Sequence, residues 1–374
     1  MSTVADGERA AVEDVCRQLP GDEGFTVLFA STRYDLGRLG AALHAAGRDR
    51  VVGAATSRAI GPPGFLADGL TGFHLPAGRF KVADTLIEEA DRFGLPDARD
   101  VVRALRGRLE RGAGSALPHL FGMLLVDAAV RCEERLIAAL GTELAGVPIV
   151  GGSAGDFYFN PLGHLGGSTR ILYHGRALRG AAVFCLVASD SPVLASSHSH
   201  HIPGQRKLVI TEADPERRLV REIDGRTAVE AYSAACGLGK ATCSVADLAE
   251  FPLMVRVGGQ YFCRGAQRVY EDGSLEFACA MEPGMVVTLA GPGNMLARLE
   301  DMFSATRNAL GTPELVIAFD CAARIVCMEQ NGISAAVSES LQHNCVVGFA
   351  ALGEQFNTIH ANNSFTCIAI AAPR

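Results

Sequence analysis

The chain has 374 residues, of which 48% are hydrophobic and 20% charged, with a formal net charge of −7. That length exceeds one ordinary core and predicts two domains. The composition excludes a disordered chain, and the acidic balance argues against a nucleic-acid partner, which favours a basic face. No apolar run reaches the roughly 18 residues of a membrane helix; the longest, near "GAAVFCLVAS", are strand-sized. The start, "MSTVADGERAAVEDV", is polar and acidic and lacks the form of an export signal, so a cytoplasmic location is expected. The chain has 11 cysteines and no C-x-x-C, which excludes a zinc ribbon, a thioredoxin motif and covalent haem attachment. Most of the thiols are expected to be small buried hydrophobes.

In chain order, the first half alternates strands and helices. "FTVLFAST" (25–32) reads as a strand, 34–47 as a helix from its leucines at 36, 39 and 43, and 50–56 as a strand. "IGPPGF" (60–65) reads as a loop, because Pro62 and Pro63 block both a helix and a central strand. Residues 97–112 read as an amphipathic helix closed by Gly112, 119–128 as a strand and 131–144 as a helix. Residues 147–156 read as a strand running into a glycine turn, and 168–175 and 179–189 as two further strands. The second half begins with two strands around Asp214-Pro215 and a short helix at 227–237, followed by a run of strands to about residue 290. A helix at 294–310, a strand at 314–324, a helix at 331–343 and two late strands complete the chain. No short-period repeat is evident.

"PIVGGSAGD" (148–156) carries the most chemistry, with Gly151, Gly152 and Gly155 around Ser153 and with Asp156 next. It formally matches the nucleophile elbow G-x-S-x-G, which needs a helix after the serine. The following "FYFNPLGHLGG" does not read as one, so a hydrolase using Ser153 with His201 or His360 is weak. A glycine turn that aims backbone N–H groups at a ligand fits better, and a plain tight turn fits equally well. "FDCAAR" (319–324) ends a strand with Cys321 and Arg324. "GFAALGEQFNTIHANNSFT" (348–366) supplies Gly353, Glu354, His360, Asn362 and Asn363, residue types common both in ligand pockets and in plain turns.

Taken in order, these stretches resemble the FIST family of sensory proteins. The resemblance rests on "GGSAGD" (151–156), "DGRTAVEAY" (224–232), "FPL" (251–253), Arg264 with "DGSLEF" (272–277), Cys321 with Arg324, and Gly348, Phe349, Gly353 and Glu354. It spans roughly residues 25 to 370. It implies an α/β fold of mixed β-sheets with helices packed on the outer faces, in two related domains. These are an N-terminal segment (1–24), a FIST N-terminal domain (25–200) and a FIST C-terminal domain (201–374), the two domains closing over one ligand cavity. Two segments depart from the family pattern. "GAATSRAI" (53–60) stands where a cysteine and an acid are usual, and "SHSHHIPG" stands where a glycine-and-tryptophan segment is usual.

The function implied is sensing of a small molecule such as an amino acid. A haem-binding subgroup of similar fold, the NosP-type proteins, senses nitric oxide and works beside a histidine kinase. That subgroup gives the histidines of "SSHSHHIPGQ" a reading: one of His201, His198 and His200 would bind the iron of haem b, with His360 in reserve. Residues two apart in a strand share a face, which sets His201 opposite His198 and His200, beside Pro203. A two-histidine zinc or nickel site and a plain polar linker stay open. The ligand-binding candidates are Gly151, Gly152, Ser153, Asp156, Cys321, Arg324, Gly353, Glu354 and Asn362. The expected function is therefore a non-enzymatic, haem-based nitric oxide sensor acting on a partner, either a histidine kinase or a diguanylate cyclase or phosphodiesterase, with a haem-free sensor of a small metabolite such as an amino acid as the first alternative. A thiol redox sensor using Cys321 or Cys327, activated by Arg324, is the other alternative.

Overall fold

The computed structural model describes residues 1–21, 23–111, 117–156, 170–239 and 242–373. Three units share one plan. In the first, the strand Phe25–Ser31 leads through the helix Leu36–Ala45 to the parallel strand Val51–Thr56, and Leu70–Leu75 pairs antiparallel on the other flank. The second repeats this with His119–Asp127, the helix Glu133–Glu143, Ile149–Ala154 and the flanking strand Ala182–Ser189. The third uses Pro313–Cys321, the helices Ala322–Gln330 and Ser334–His343, Val346–Ala351 and the flanking strand Phe365–Ala371.

Each sheet is finished by a hairpin borrowed from another unit, and the exchange closes a ring. The hairpin 59–66 of the first unit joins Val346–Ala351 of the third. The hairpin 354–361 of the third joins Ile149–Ala154 of the second, and 171–178 of the second joins Val51–Thr56 of the first. Two of the three sheets therefore combine strands from both sides of residue 200. The expected loop at 60–65 is one of these hairpins, with Pro62 and Pro63 at its tip, where neither must donate to a ladder.

Alternation along the strands explains the packing. Phe25, Val27 and Phe29 point into a core shared by all three sheets, while Leu28 and Ala30 face the helices outside. The ring centroid of Phe29 lies 5.0 Å from that of Phe349, and Phe319 lies 5.2 Å from Phe349, at the centre of that core. The helices cover the outer faces as expected, and a first helix, Glu8–Gln18, forms in the N-terminal segment, where none is expected from the sequence pattern.

A fourth sheet is built from strands between Ile202 and Gly291 and has its own core around Leu208, Ile223, Tyr232 and Phe277. Ala361 of the hairpin 354–361 belongs to that core too. The hairpin therefore lies between the three-unit body and the fourth sheet.

Candidate functional site

The third unit places a charge pair where its first strand ends. Asp320 is the penultimate residue of Pro313–Cys321, and Arg324 sits in the first turn of the helix that follows. The "FDCAAR" segment is thus a strand end and a helix start, not one strand. Both side chains are fully buried, with Arg324 Nε 2.6 Å from Asp320 Oδ1. Among the described residues, Asp320 Oδ2 and Arg324 Nη2 have no hydrogen-bond partner. Burial pushes the Asp320 carboxyl above its ordinary value, with the guanidinium pulling against that shift.

The histidines meet this pair from the strand Val193–His198. That strand stops at His198, so the expected alternation of faces stops there too. His201 does not point away from His200: their rings lie 3.9 Å apart at 42°, and both are buried. His200 Nδ1 lies 3.3 Å from Arg324 Nη1. His201 Nδ1 lies 3.2 Å from Ser199 Oγ, and its Nε2 lies 3.1 Å from the carbonyl oxygen of Ala249. Burial and the neighbouring His201 push His200 down to about 2, and burial with Arg324 pushes His201 down to about 3. Both rings are therefore neutral at physiological pH.

The hairpin 354–361 supplies the other half. Gly353 precedes it at φ 138, and a β-carbon there would meet the His360 ring at 2.3 Å, so glycine is required. Glu354 is fully buried. Its Oε2 accepts from the Ser364 hydroxyl at 2.6 Å, and its Oε1 has no hydrogen-bond partner. Burial, with Asp320 adding to it, pushes its carboxyl well above the ordinary range. Gln355 Nε2 donates to Ser153 Oγ at 3.0 Å, and Ser153 Oγ donates to Glu133 at 3.2 Å. Glu133 pairs with Arg218, which comes from the fourth sheet. Gln355 Nε2 is also 3.3 Å from His360 Nδ1, while His360 Nε2 faces the carbonyl oxygen of Ala278. The backbone of Asn362 bridges to Cys263, and the Asn363 amide donates to Ala249 O at 3.0 Å.

The structure thus gathers Ser153, Glu354, His360, Asn362, Cys321, Arg324, His200 and His201 into one connected polar region. Gly151 and Gly152 are not a ligand-cradling turn. They lie inside the strand Ile149–Ala154, paired with Gln355 and Glu354. A β-carbon on Gly152 would lie 2.5 Å from the Phe319 ring, so close packing is what requires glycine there. Asp156 stands at the edge of the described residues, and the stretch that would hold or lack a helix after Ser153 lies outside them. The thiol alternative meets an opposing force, since burial pushes Cys327 up to about 11 despite Arg324 and pushes Cys321 well above its ordinary value. Asp320, Gln355, Ser364 and Glu133 carried no sequence signal beyond their residue type.

Ser153 is fully buried and held between Glu133 and Gln355, with no imidazole among the hydrogen-bond partners found for it. A Ser153→Ala variant is expected to show the same background hydrolysis of p-nitrophenyl esters as the parent. A burst of product lost in the variant would restore the hydrolase reading. Haem needs an imidazole nitrogen open to iron. His201 and His360 face protein groups with both nitrogens, and His200 faces Arg324 with one. His198 keeps Nε2 buried without a partner among the described residues, which makes it the best placed of the four for iron, with the second nitrogen of His200 next.

A FIST N domain matches residues 24–226 and a FIST C domain matches residues 228–357. The chain belongs to the FIST family. FIST domains are small-ligand sensors of signalling systems, so the fold class and the sensory role read from the sequence both hold. No curated protein matches the chain. No helix among the described residues is long and apolar enough to cross a membrane.

Proposed function

We propose that this FIST protein senses a small zwitterionic molecule, in the simplest case an amino acid, held between the hairpin 354–361 and the Asp320–Arg324 pair. One observation carries the reading. Buried polar atoms almost always find a partner, yet Asp320 Oδ2, Glu354 Oε1, Gln355 Oε1, Arg324 Nη2, Asn362 Nδ2 and Asn363 Oδ1 have none among the described residues. All six belong to this one region. The oxygens suit an ammonium group, while the guanidinium and amide nitrogens suit a carboxylate. Output then passes to a partner enzyme, a histidine kinase or a cyclic-di-GMP enzyme in the cytoplasm. Ligand would shift that enzyme's activity by about 5- to 150-fold, the usual span of allosteric coupling.

The test is thermal unfolding with a panel of amino acids. A true ligand at a hundredfold excess over its Kd adds about 2.7 kcal/mol of stability. That gain should vanish in Asn362→Ala. A panel in which no member raises the midpoint would remove this reading. A second reading, haem-based sensing of nitric oxide, is favoured by the unpartnered Nε2 of His198. A Soret band in protein grown with a haem precursor, lost in His198→Ala but kept in His201→Ala, would establish it instead.

A further inference from the structure

We infer that His200, His201 and Cys327 form a binding site for a soft transition-metal ion, zinc(II) or copper(I). Each offers a ligand atom, and these atoms lie within 4.8 Å of one another. The three residues arrive from two places far apart in the chain, the end of the strand Val193–His198 and the helix Ala322–Gln330. Their side chains are buried, so nothing screens an ion held among them. Two imidazoles and a thiolate are the donors that zinc(II) and copper(I) prefer over harder ions. Metal–nitrogen bonds of about 2.0 Å and metal–sulfur bonds of about 2.3 Å imply donor separations of roughly 3.3–3.6 Å. Rotation of the side chains by about an ångström closes the difference.

The Arg324 guanidinium beside His200 opposes a cation and is offset by its pair with Asp320, while a backbone oxygen favours one. Ala249 O lies 3.1 Å from His201 Nε2 and 3.5 Å from Cys327 Sγ, placing an oxygen donor beside both. Ser199 Oγ donates to Asn363 O at 3.0 Å and lies 3.2 Å from His201 Nδ1 and 3.3 Å from Cys263 Sγ. Without an ion, His201 Nε2–H donates to Ala249 O. To bind one through Nε2, His201 moves its hydrogen to Nδ1, where Ser199 Oγ can accept it, the usual way a second group fixes the tautomer of a ligating histidine. Ala249 O keeps its hydrogen bond from the Asn363 amide throughout. On binding, the Cys327 S–H bond breaks, its proton leaves to solvent and the sulfur–metal bond forms. The imidazoles contribute lone pairs, and nothing is oxidised or reduced. His200 gives up its 3.3 Å contact with Arg324 if Nδ1 is the ligand atom, and the guanidinium can turn to the unpartnered Asp320 Oδ2. Unlike haem, a bare ion needs no plane-sized space and gains from the carbonyl that faces His201.

The test uses the full chain, stripped by chelator and kept reduced, with the exposed Cys345 replaced by serine in every sample. Zinc is titrated against a chromophoric chelator, and copper(I) against a copper(I)-specific one. One ion per chain is expected in at least one arm, and the tighter arm identifies the metal. Cys327→Ser and His201→Ala should each weaken binding by at least about 100-fold, since even supporting residues are worth 10–100-fold. His198→Ala should leave it unchanged. Cobalt(II) gives a readout on the unsubstituted ligands, a thiolate charge-transfer band. Absence of that band, absence of a stoichiometric ion in both arms, or unchanged affinity in the Cys327 and His201 variants would overturn the site.

Discussion

Replacing Arg324 by alanine is expected to destabilise the protein by about 3–5 kcal/mol, the cost of stranding one partner of a buried ion pair. Neither Arg324 nor Asp320 is reached by solvent, and their shortest contact is 2.6 Å. Without the guanidinium, Asp320 either keeps an uncompensated charge or takes up a proton in a site where burial already favours it. Arg324 also fills the space beside the Phe365 ring, with its guanidinium carbon 6.0 Å from the centroid, so the loss includes packing. The double variant Asp320→Asn with Arg324→Met removes both charges and keeps the volume. It should recover most of the loss, because buried pairs are commonly replaced by neutral groups at little cost. Urea unfolding of the parent, the two single variants and the double variant gives the coupling energy. A loss below about 1 kcal/mol for Arg324→Ala would mean that the pair is hydrated and not buried.

The site was only partly legible in the sequence, and the misses have physical causes. Strands such as 25–31, 119–127 and 313–321 are visible because apolar runs with turn signals need nothing beyond local pattern. Their common plan is not, because residues 59–60 pair with 348–349 and 354–356 with 150–152, contacts no local window contains. Gly151 and Gly152 read locally as a turn. Glycine is equally required where a β-carbon would strike a carbonyl or a ring, and at Gly151 the obstacle is Leu124 O at 2.3 Å. His201 was placed on the wrong face because alternation was carried past His198, where the strand ends. Cys327 reads in the sequence as a reactive thiol, a chemistry that its burial opposes, while its position beside two histidines depends on tertiary structure alone. Glu354 and Asn362 were found through the family resemblance and their turn-like setting. Gln355, adjacent and equally buried, had neither signal.

Glu354 gives the second large effect, and its sign is fixed by burial. The folded state holds this carboxyl well above the ordinary range of about 4.5, while the unfolded chain ionises near that value. Above about pH 4.5 the unfolded state therefore binds fewer protons than the native state, and stability falls as pH rises. The fall amounts to about 1.4 kcal/mol per pH unit for this one group, continuing until the pH reaches the folded-state value. Glu354→Gln keeps the shape and the acceptor for Ser364 but has no proton to lose. It should gain on the parent steadily between about pH 5 and pH 8, by up to a few kcal/mol, and match it near pH 4. A ligand ammonium docking at Oε1 would favour the ionised form and shrink that difference, so the same pair of variants reports on occupancy. The measurement is the unfolding midpoint of both proteins across that pH range. Parallel curves would mean that Glu354 is ionised in the native state, and the acceptor that the proposed ammonium group meets would then be a carboxylate from the outset.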